Sequence, residues 1–304
     1  MSERIELVEV GPRDGLQNED VILDAARKVE LIERCVAAGA RRIEVASFVH
    51  PGRVPQMADA EAVVEALGPA PDGVSYIGLV LNRRGLDRAL DTAVDSLNFV
   101  VGATEGFNRA NSGVSIDETM QEIEEMVPEA AGAGRFTSVT VSVAFGCPYE
   151  GEVAARRVAD LAGRAAAVGT DEIALGDTIG VAVPPDVARV VEAVRAQSGE
   201  MPIRLHFHDT RNTAIANAYS ALEVGVGILD ASVGGAGGCP FAPNATGNVA
   251  TEDVLYLLDR MGIPSGIDAE ATAATGRWLG EQLRKQLPSA LAIAGGFPSG
   301  PSGT

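Results

Sequence analysis

Short apolar runs rich in β-branched residues alternate along this chain with longer stretches in which apolar residues recur at helical spacing. The runs at 5–10, 42–48, 75–81, 97–102, 138–144, 172–175, 203–208 and 228–233 predict strands. The stretches near 24–38, 57–67, 84–93, 117–131, 152–168, 185–197, 212–224 and 251–261 predict helices. Local signals agree with this division. Ser115 and Glu118 have capping-box spacing. Thr251 can cap the last predicted helix, with Glu252 and Asp253 in its first turn. Gly39 and Gly225 stand just past helix ends, where a left-handed backbone favours glycine. Eight strand-then-helix units predict an α/β fold, a (β/α)8 barrel of the TIM type, with a long Gly/Pro-rich loop at 234–250 after the eighth strand. An open doubly wound sheet is the alternative, but no Gly-rich dinucleotide turn follows the first strand. One barrel domain is expected over 1–294, and the Gly/Ser/Pro-rich 295–304 is expected to be a disordered tail.

Composition narrows the partners. Hydrophobic residues make up 46% of 304 positions, enough to fill one large core. The net charge of −18, from 42 acids against 24 bases, argues against nucleic acid and anionic membranes. It also means that an anionic substrate would need arginines gathered locally at its site. No apolar run reaches bilayer-spanning length. Met1-Ser2-Glu3-Arg4 leads straight into a strand without a signal-peptide-like apolar region. The three cysteines, Cys35, Cys147 and Cys239, make no disulfide framework, so a reducing cytoplasm is expected.

In a barrel of this kind chemistry gathers where strands end. His206 and His208 are two of only three histidines, and spacing of two on a strand points both at one face. Two imidazoles joined by carboxylate and carbonyl oxygens describe a mixed N/O site, which fits Mg2+ or Mn2+ better than a thiolate-rich zinc site. Asp14 is the third candidate ligand and Asn248 the fourth, although both also read as turn residues. Arg13 can neutralise an anion or an oxyanion. Glu44 and Asp177 fall where inward-facing acids need partners, and could orient Arg13, a ligand or a substrate. Cys239, between Gly237-Gly238 and Pro240, and Cys147, before Pro148, are both candidate thiols, and spacing alone does not choose between them. Cys35 falls on the apolar face of its helix and reads as core.

These segments resemble a known family. The run Val8-Glu9-Val10-Gly11-Pro12-Arg13-Asp14-Gly15-Leu16-Gln17-Asn18-Glu19 is similar to the opening motif of hydroxymethylglutaryl-CoA (HMG-CoA) lyases. So are Ser47-Phe48-Val49 with Val54-Pro55-Gln56-Met57, Gly146-Cys147-Pro148-Tyr149-Glu150-Gly151, Leu175-Gly176-Asp177-Thr178-Ile179-Gly180, and Gly237-Gly238-Cys239-Pro240 with Gly247-Asn248. The resemblance implies a (β/α)8 barrel and a reaction that splits HMG-CoA into acetyl-CoA and acetoacetate with Mg2+ or Mn2+. By motif position it implies Asp14, His206, His208 and Asn248 as metal ligands. It implies Arg13, Cys239, His206, Glu44 and Asp177 as catalytic residues, with Arg13 and Gln17 at the substrate. The implied partner is an acyl-CoA, and a homodimer is expected.

The chain departs from the commonest family pattern at Arg211-Asn212, Ala174, Gly234, Ala236 and Phe241. These departures leave open a related 3-hydroxyacyl-CoA as substrate. Condensing synthases of the isopropylmalate or homocitrate type are a second enzyme reading, but they have large C-terminal domains and no Gly-Gly-Cys-Pro loop. A barrel that binds its ligand as a regulator, without turnover, is the third.

Overall fold

The computed structural model describes residues 5–238 and 247–298. Eight parallel strands form a closed barrel in chain order: β1 (Glu6–Glu9), β2 (Arg42–Ser47), β3 (Ser75–Val80), β4 (Ser96–Gly102), β5 (Phe136–Ser142), β6 (Glu172–Asp177), β7 (Ile203–Phe207) and β8 (Ile228–Ala231). β1 closes on β8, with Val8 opposite Asp230 and Glu9 opposite Ala231. Parallel strands covered on both faces read as near-continuous apolar runs rather than alternating ones. β4 is of this kind, buried at every position.

Around the barrel lie α1 (Ala25–Ala37), α2 (Ala60–Leu67), α3 (Arg83–Leu90), α4 (Glu105–Ser112), α5 (Ile116–Gly132), α6 (Ala155–Ala167), α7 (Pro184–Ser198), α8 (Ala214–Glu223), α9 (Thr251–Met261), α10 (Ala269–Leu283) and α11 (Ala290–Ala294). The capping box at the head of α5 forms as its sequence predicts. Gly39 and Gly225 take positive φ just past α1 and α8. Cys35 is buried.

Thr251 does not cap α9. Ala250 occupies the cap position without a side-chain bond, and the Thr251 hydroxyl donates to Glu9 Oε2 at 2.7 Å. A buried carboxylate from β1 outcompetes the helix terminus for that hydroxyl. Three helices, α4, α10 and α11, were not expected from the sequence. α10 packs on the turn Val233–Gly235. There Gly234 sits at φ 71, and a Cβ would collide with Leu287 Cδ1, which accounts for glycine at this departure from the family pattern.

The barrel interior carries a charged floor. Arg204, 1% exposed, donates from Nε to Glu172 Oε1 at 2.7 Å and from Nη1 to Asp230 Oδ1 at 2.8 Å. Arg42 Nη1 donates to the other oxygen of Glu172 at 2.8 Å. Burying these charges is costly, and each is paired and hydrogen-bonded as that requires.

Two buried glutamates tie the barrel seam. Glu9 accepts from Gly11 N at 2.8 Å, Val233 N at 2.9 Å and the Thr251 hydroxyl. Glu252 accepts from Gly234 N at 2.9 Å. Burial pushes the Glu9 carboxyl up to about 7 and the Glu252 carboxyl up to about 8, and the hydrogen bonds only partly offset this. Both folded values lie above the ordinary 4.5. The unfolded chain therefore releases these protons first, and stability falls as pH rises from about 4.5 to about 8. Glu252→Gln removes one titration. Urea midpoints between about pH 5 and 8 should show the variant gaining on wild type by up to about 1.4 kcal/mol per pH unit. A pH-independent difference would mean that Glu252 is ionised throughout.

Candidate active site

The strand ends converge on a cavity of about 480 Å3. One pole is polar, with Arg13, Asp14, Gln17, His206, His208 and Asp230 in its lining. The opposite wall is apolar, from Val49, Val54, Leu79, Leu81, Val100 and Phe107.

Arg13 and Asp14 stand on one π-helical turn, Gly11–Gly15, directly after β1. Three N–H groups, of Arg13, Asp14 and Gly15, point back at Val10 O, which fixes the turn. Arg13 is 8% exposed. Its Nε donates to Glu44 Oε2 at 2.6 Å, and its Nη1 donates to Asp14 Oδ1 at 2.7 Å and Gln17 Oε1 at 3.1 Å. Glu44 on β2 also accepts from Asn98 Nδ2 at 3.3 Å. The guanidinium is thus pinned before any ligand arrives. Burial alone would lower its pKa, but Glu44 and Asp14 raise it.

His206 and His208 do share one face, with ring centroids 5.1 Å apart. His206 Nε2 lies 3.9 Å and His208 Nε2 3.8 Å from Asp14 Oδ2. Asp14, His206 and His208 each offer one ligand atom within 4.8 Å of the others. Asn248 reaches the same point from the far end of the chain. It forms a bridge with His208, and its Nδ2 lies 2.9 Å from Asp14 Oδ2.

The donors fit a divalent cation. Asn248 Oδ1 is a buried acceptor that no donor satisfies among the described residues, and buried polar atoms seldom stay unpaired. Burial, with His206 beside it, lowers His208 to about 4, so its imidazole is neutral and keeps a lone pair to give. Burial would raise Asp14, but Arg13 and both imidazoles hold it well below the carboxylate range, so it stays anionic. Two nitrogens with hard oxygens make a donor set suited to Mg2+ or Mn2+.

Asp230 was not among the residues expected from the sequence. Its Oδ2 lies 3.1 Å from His206 Nδ1, while both its oxygens accept from Arg204. Burial would raise the Asp230 carboxyl, but Arg204 and His206 lower it, so it stays charged. It holds Nδ1 protonated and turns Nε2 to the cavity, as supporting carboxylates do behind ligating histidines. The signal in sequence was an acid at the end of a strand otherwise read as apolar.

Asp177 faces away from this pole. Its carboxylate accepts from Val181 N at 2.9 Å and Ala182 N at 3.1 Å, bracing the turn after β6. Burial pushes it up to about 6. Arg211 braces the same turn by donating to Ile179 O and Gly180 O at 2.8 and 2.9 Å. Asn212 adopts φ 55, a conformation asparagine tolerates nearly as glycine does. Arg211 and Asn212 therefore each have a structural role in this turn. Cys147 is buried, with its sulfur 3.0 Å from Thr104 Oγ1. Cys239 and Phe241 lie outside the described residues.

The HMGL-like family model matches residues 4–278. This chain belongs to that family. Within it, the chain is 43% identical to the hydroxymethylglutaryl-CoA lyase of Pseudomonas mevalonii, over 92% of each chain. It is 40% identical to the (R)-citramalyl-CoA lyase of Chloroflexus aurantiacus, over 96% of this chain and 95% of the relative. An HMG-CoA lyase structure from Acinetobacter baumannii, in complex with coenzyme A and 3-methylmalate, superposes with a TM-score of 0.93 at 36% identity and 97% coverage of both chains. The HMGL-like barrel and its order of strands agree with the fold expected from the sequence. No helix among the described residues is long and apolar enough to cross a membrane.

Proposed function

We propose that the chain is a metal-dependent carbon–carbon lyase that splits HMG-CoA into acetyl-CoA and acetoacetate. The observation that carries this reading is the convergence of Asp14, His206 and His208 with the pinned Arg13 on one cavity. Relatives named for this activity at about 40% identity support it.

In this reading Asp14, His206, His208 and Asn248 hold Mg2+ or Mn2+. The ion supplies Lewis acidity that lowers the pKa of the substrate's tertiary hydroxyl. The hydroxyl proton passes to solvent as C3 becomes the ketone of acetoacetate, and solvent returns a proton to the group that protonates C2, so no net proton is gained or lost. The C2–C3 bond breaks, and its electron pair moves onto the thioester as an enolate. Arg13 faces that charge, while Glu44 and Gln17 fix its direction. C2 then takes a proton to give acetyl-CoA, and we assign the donor as the Cys239 thiol. Asp230 occupies His206 Nδ1, leaving Nε2 as the nitrogen free to ligate or to carry a proton. It cannot do both at once. Asp177 supports the mouth through its turn.

Incubation of the purified protein and Mg2+ with HMG-CoA and, separately, (R)-citramalyl-CoA tests the reading. Release of acetyl-CoA and acetoacetate from the first is the expected result. Release of acetyl-CoA and pyruvate from the second alone would move the substrate to the shorter acyl chain, and no cleavage of either would overturn the proposal.

A further inference from the structure

The cavity also presents a cation at its outer rim. Besides the histidines, the lining contains two basic side chains, Arg13 at the polar pole and Arg53 on the loop after β2. Arg53 is exposed and, among the described residues, has no carboxylate partner. Other arginines among the described residues, such as Arg41, Arg84 and Arg277, also have no carboxylate partner, but of these unpaired arginines it is Arg53 that lines the cavity, in a chain with 42 acids and 24 bases. The acids in the lining, Asp14 and Asp230, are both buried at the opposite, polar end.

The loop that presents Arg53 is braced. Arg53 N donates to His50 O at 2.8 Å, and Gly52 N donates to His50 Nδ1 at 3.1 Å. Just before it, Val49 O accepts from Arg88 Nη1 at 2.8 Å. Just after it, buried Gln56 donates to Glu19 O and Val21 O at 2.6 and 2.8 Å. From this base the guanidinium extends to the end of α4, where Nη2 lies 3.9 Å from the position a Cβ would take on Gly113.

We propose that Arg53 is a binding residue for a phosphate of coenzyme A, acting as the local positive charge that the strongly acidic chain needs at its entrance. The inference rests on the acyl-CoA reading above and adds where the nucleotide end is held. A guanidinium matches phosphate oxygens with parallel N–H donors. An exposed rim cation also steers an anion toward an otherwise repulsive surface. Arg53 takes no part in bond breaking, so its effect falls on binding.

Calorimetric titration with coenzyme A itself tests this without turnover. Arg53→Ala should weaken binding by about tenfold, the scale of one charge-assisted contact, and Arg53→Lys should recover most of it. Raising salt from about 0.05 to about 0.3 M should weaken wild type more than Arg53→Ala. In turnover, Arg53→Ala should raise KM with kcat within about twofold, the pattern of uniform binding. Pantetheine should bind both proteins alike. If 3′-dephospho-CoA also erases the difference, the contact is with the 3′-phosphate; if the difference persists, it is with the diphosphate. Equal coenzyme A affinity for wild type and Arg53→Ala, or an equal loss with pantetheine, would overturn the proposal. Absence of cleavage of either thioester would overturn the lyase reading and leave the binding result standing.

Discussion

Replacing Arg13 with glutamine should lower kcat by about 10²- to 10³-fold or more while KM changes little, the scale of losing one preorganised oxyanion donor. The argument lies in how the side chain is held. Glu44 takes its Nε, and Asp14 and Gln17 share its Nη1, so the guanidinium spends no reorganisation when charge develops in front of it. Arg13→Lys keeps the charge and loses the fork. It cannot satisfy Glu44, Asp14 and Gln17 at once, so it should rescue only a small part of the rate. The substitution also strands Glu44, which is 1% exposed and, among the described residues, keeps only Asn98 Nδ2 as a hydrogen-bond donor, at 3.3 Å. Thermal unfolding of each variant separates this loss of stability from the loss of rate. A variant with normal kcat and a raised KM would reduce Arg13 to a substrate anchor.

Dialysis against a chelator should abolish cleavage, and Mn2+ should restore it. Asp14→Asn should do the same permanently. Asn retains the shape of the side chain but removes the anion that both imidazoles face at 3.8 and 3.9 Å. Electron paramagnetic resonance of free Mn2+ reads this without turnover. The variant should bind Mn2+ at least about 100-fold more weakly, beyond the effect of losing a supporting partner. Asp14 also salt-bridges Arg13 at 2.7 Å, so some loss of kcat would come through the arginine. The binding measurement is not confounded in that way. Unchanged Mn2+ affinity in Asp14→Asn, or full activity after chelation, would place the cation elsewhere or nowhere.

The barrel and the histidine pair were legible because both depend on local periodicity. Parallel strands buried on two faces announce themselves as apolar runs, and residues two apart on a strand must share a face. Asp230 and Arg204 were not legible, because what matters about them is their partnership. Arg204 meets Glu172 and Asp230 over separations of 32 and 26 residues, and no local pattern encodes those contacts. Thr251 was misread for the same reason. Its position satisfied a capping rule, but Glu9, 242 residues away, claimed the hydroxyl. α10 escaped because small residues, Thr272, Ala273, Thr275 and Gly276 among them, make up much of its buried face. Such a face buries well against the turn at Val233–Gly235 but leaves a faint hydrophobic stripe.

The pairing of β1 with β8 has a consequence for biosynthesis. Asp14 emerges from the ribosome early and Asn248 late, yet the two side chains end 2.9 Å apart across the seam where the first strand meets the last. Until that seam zips, Asp14 is held apart from His206, His208 and Asn248, and the barrel has no closed mouth. Contacts so distant in sequence are among the slowest to form. In the proposed reading, in which Asp14 and Asn248 both hold the cation, that cation would act as a clasp on the closed ring.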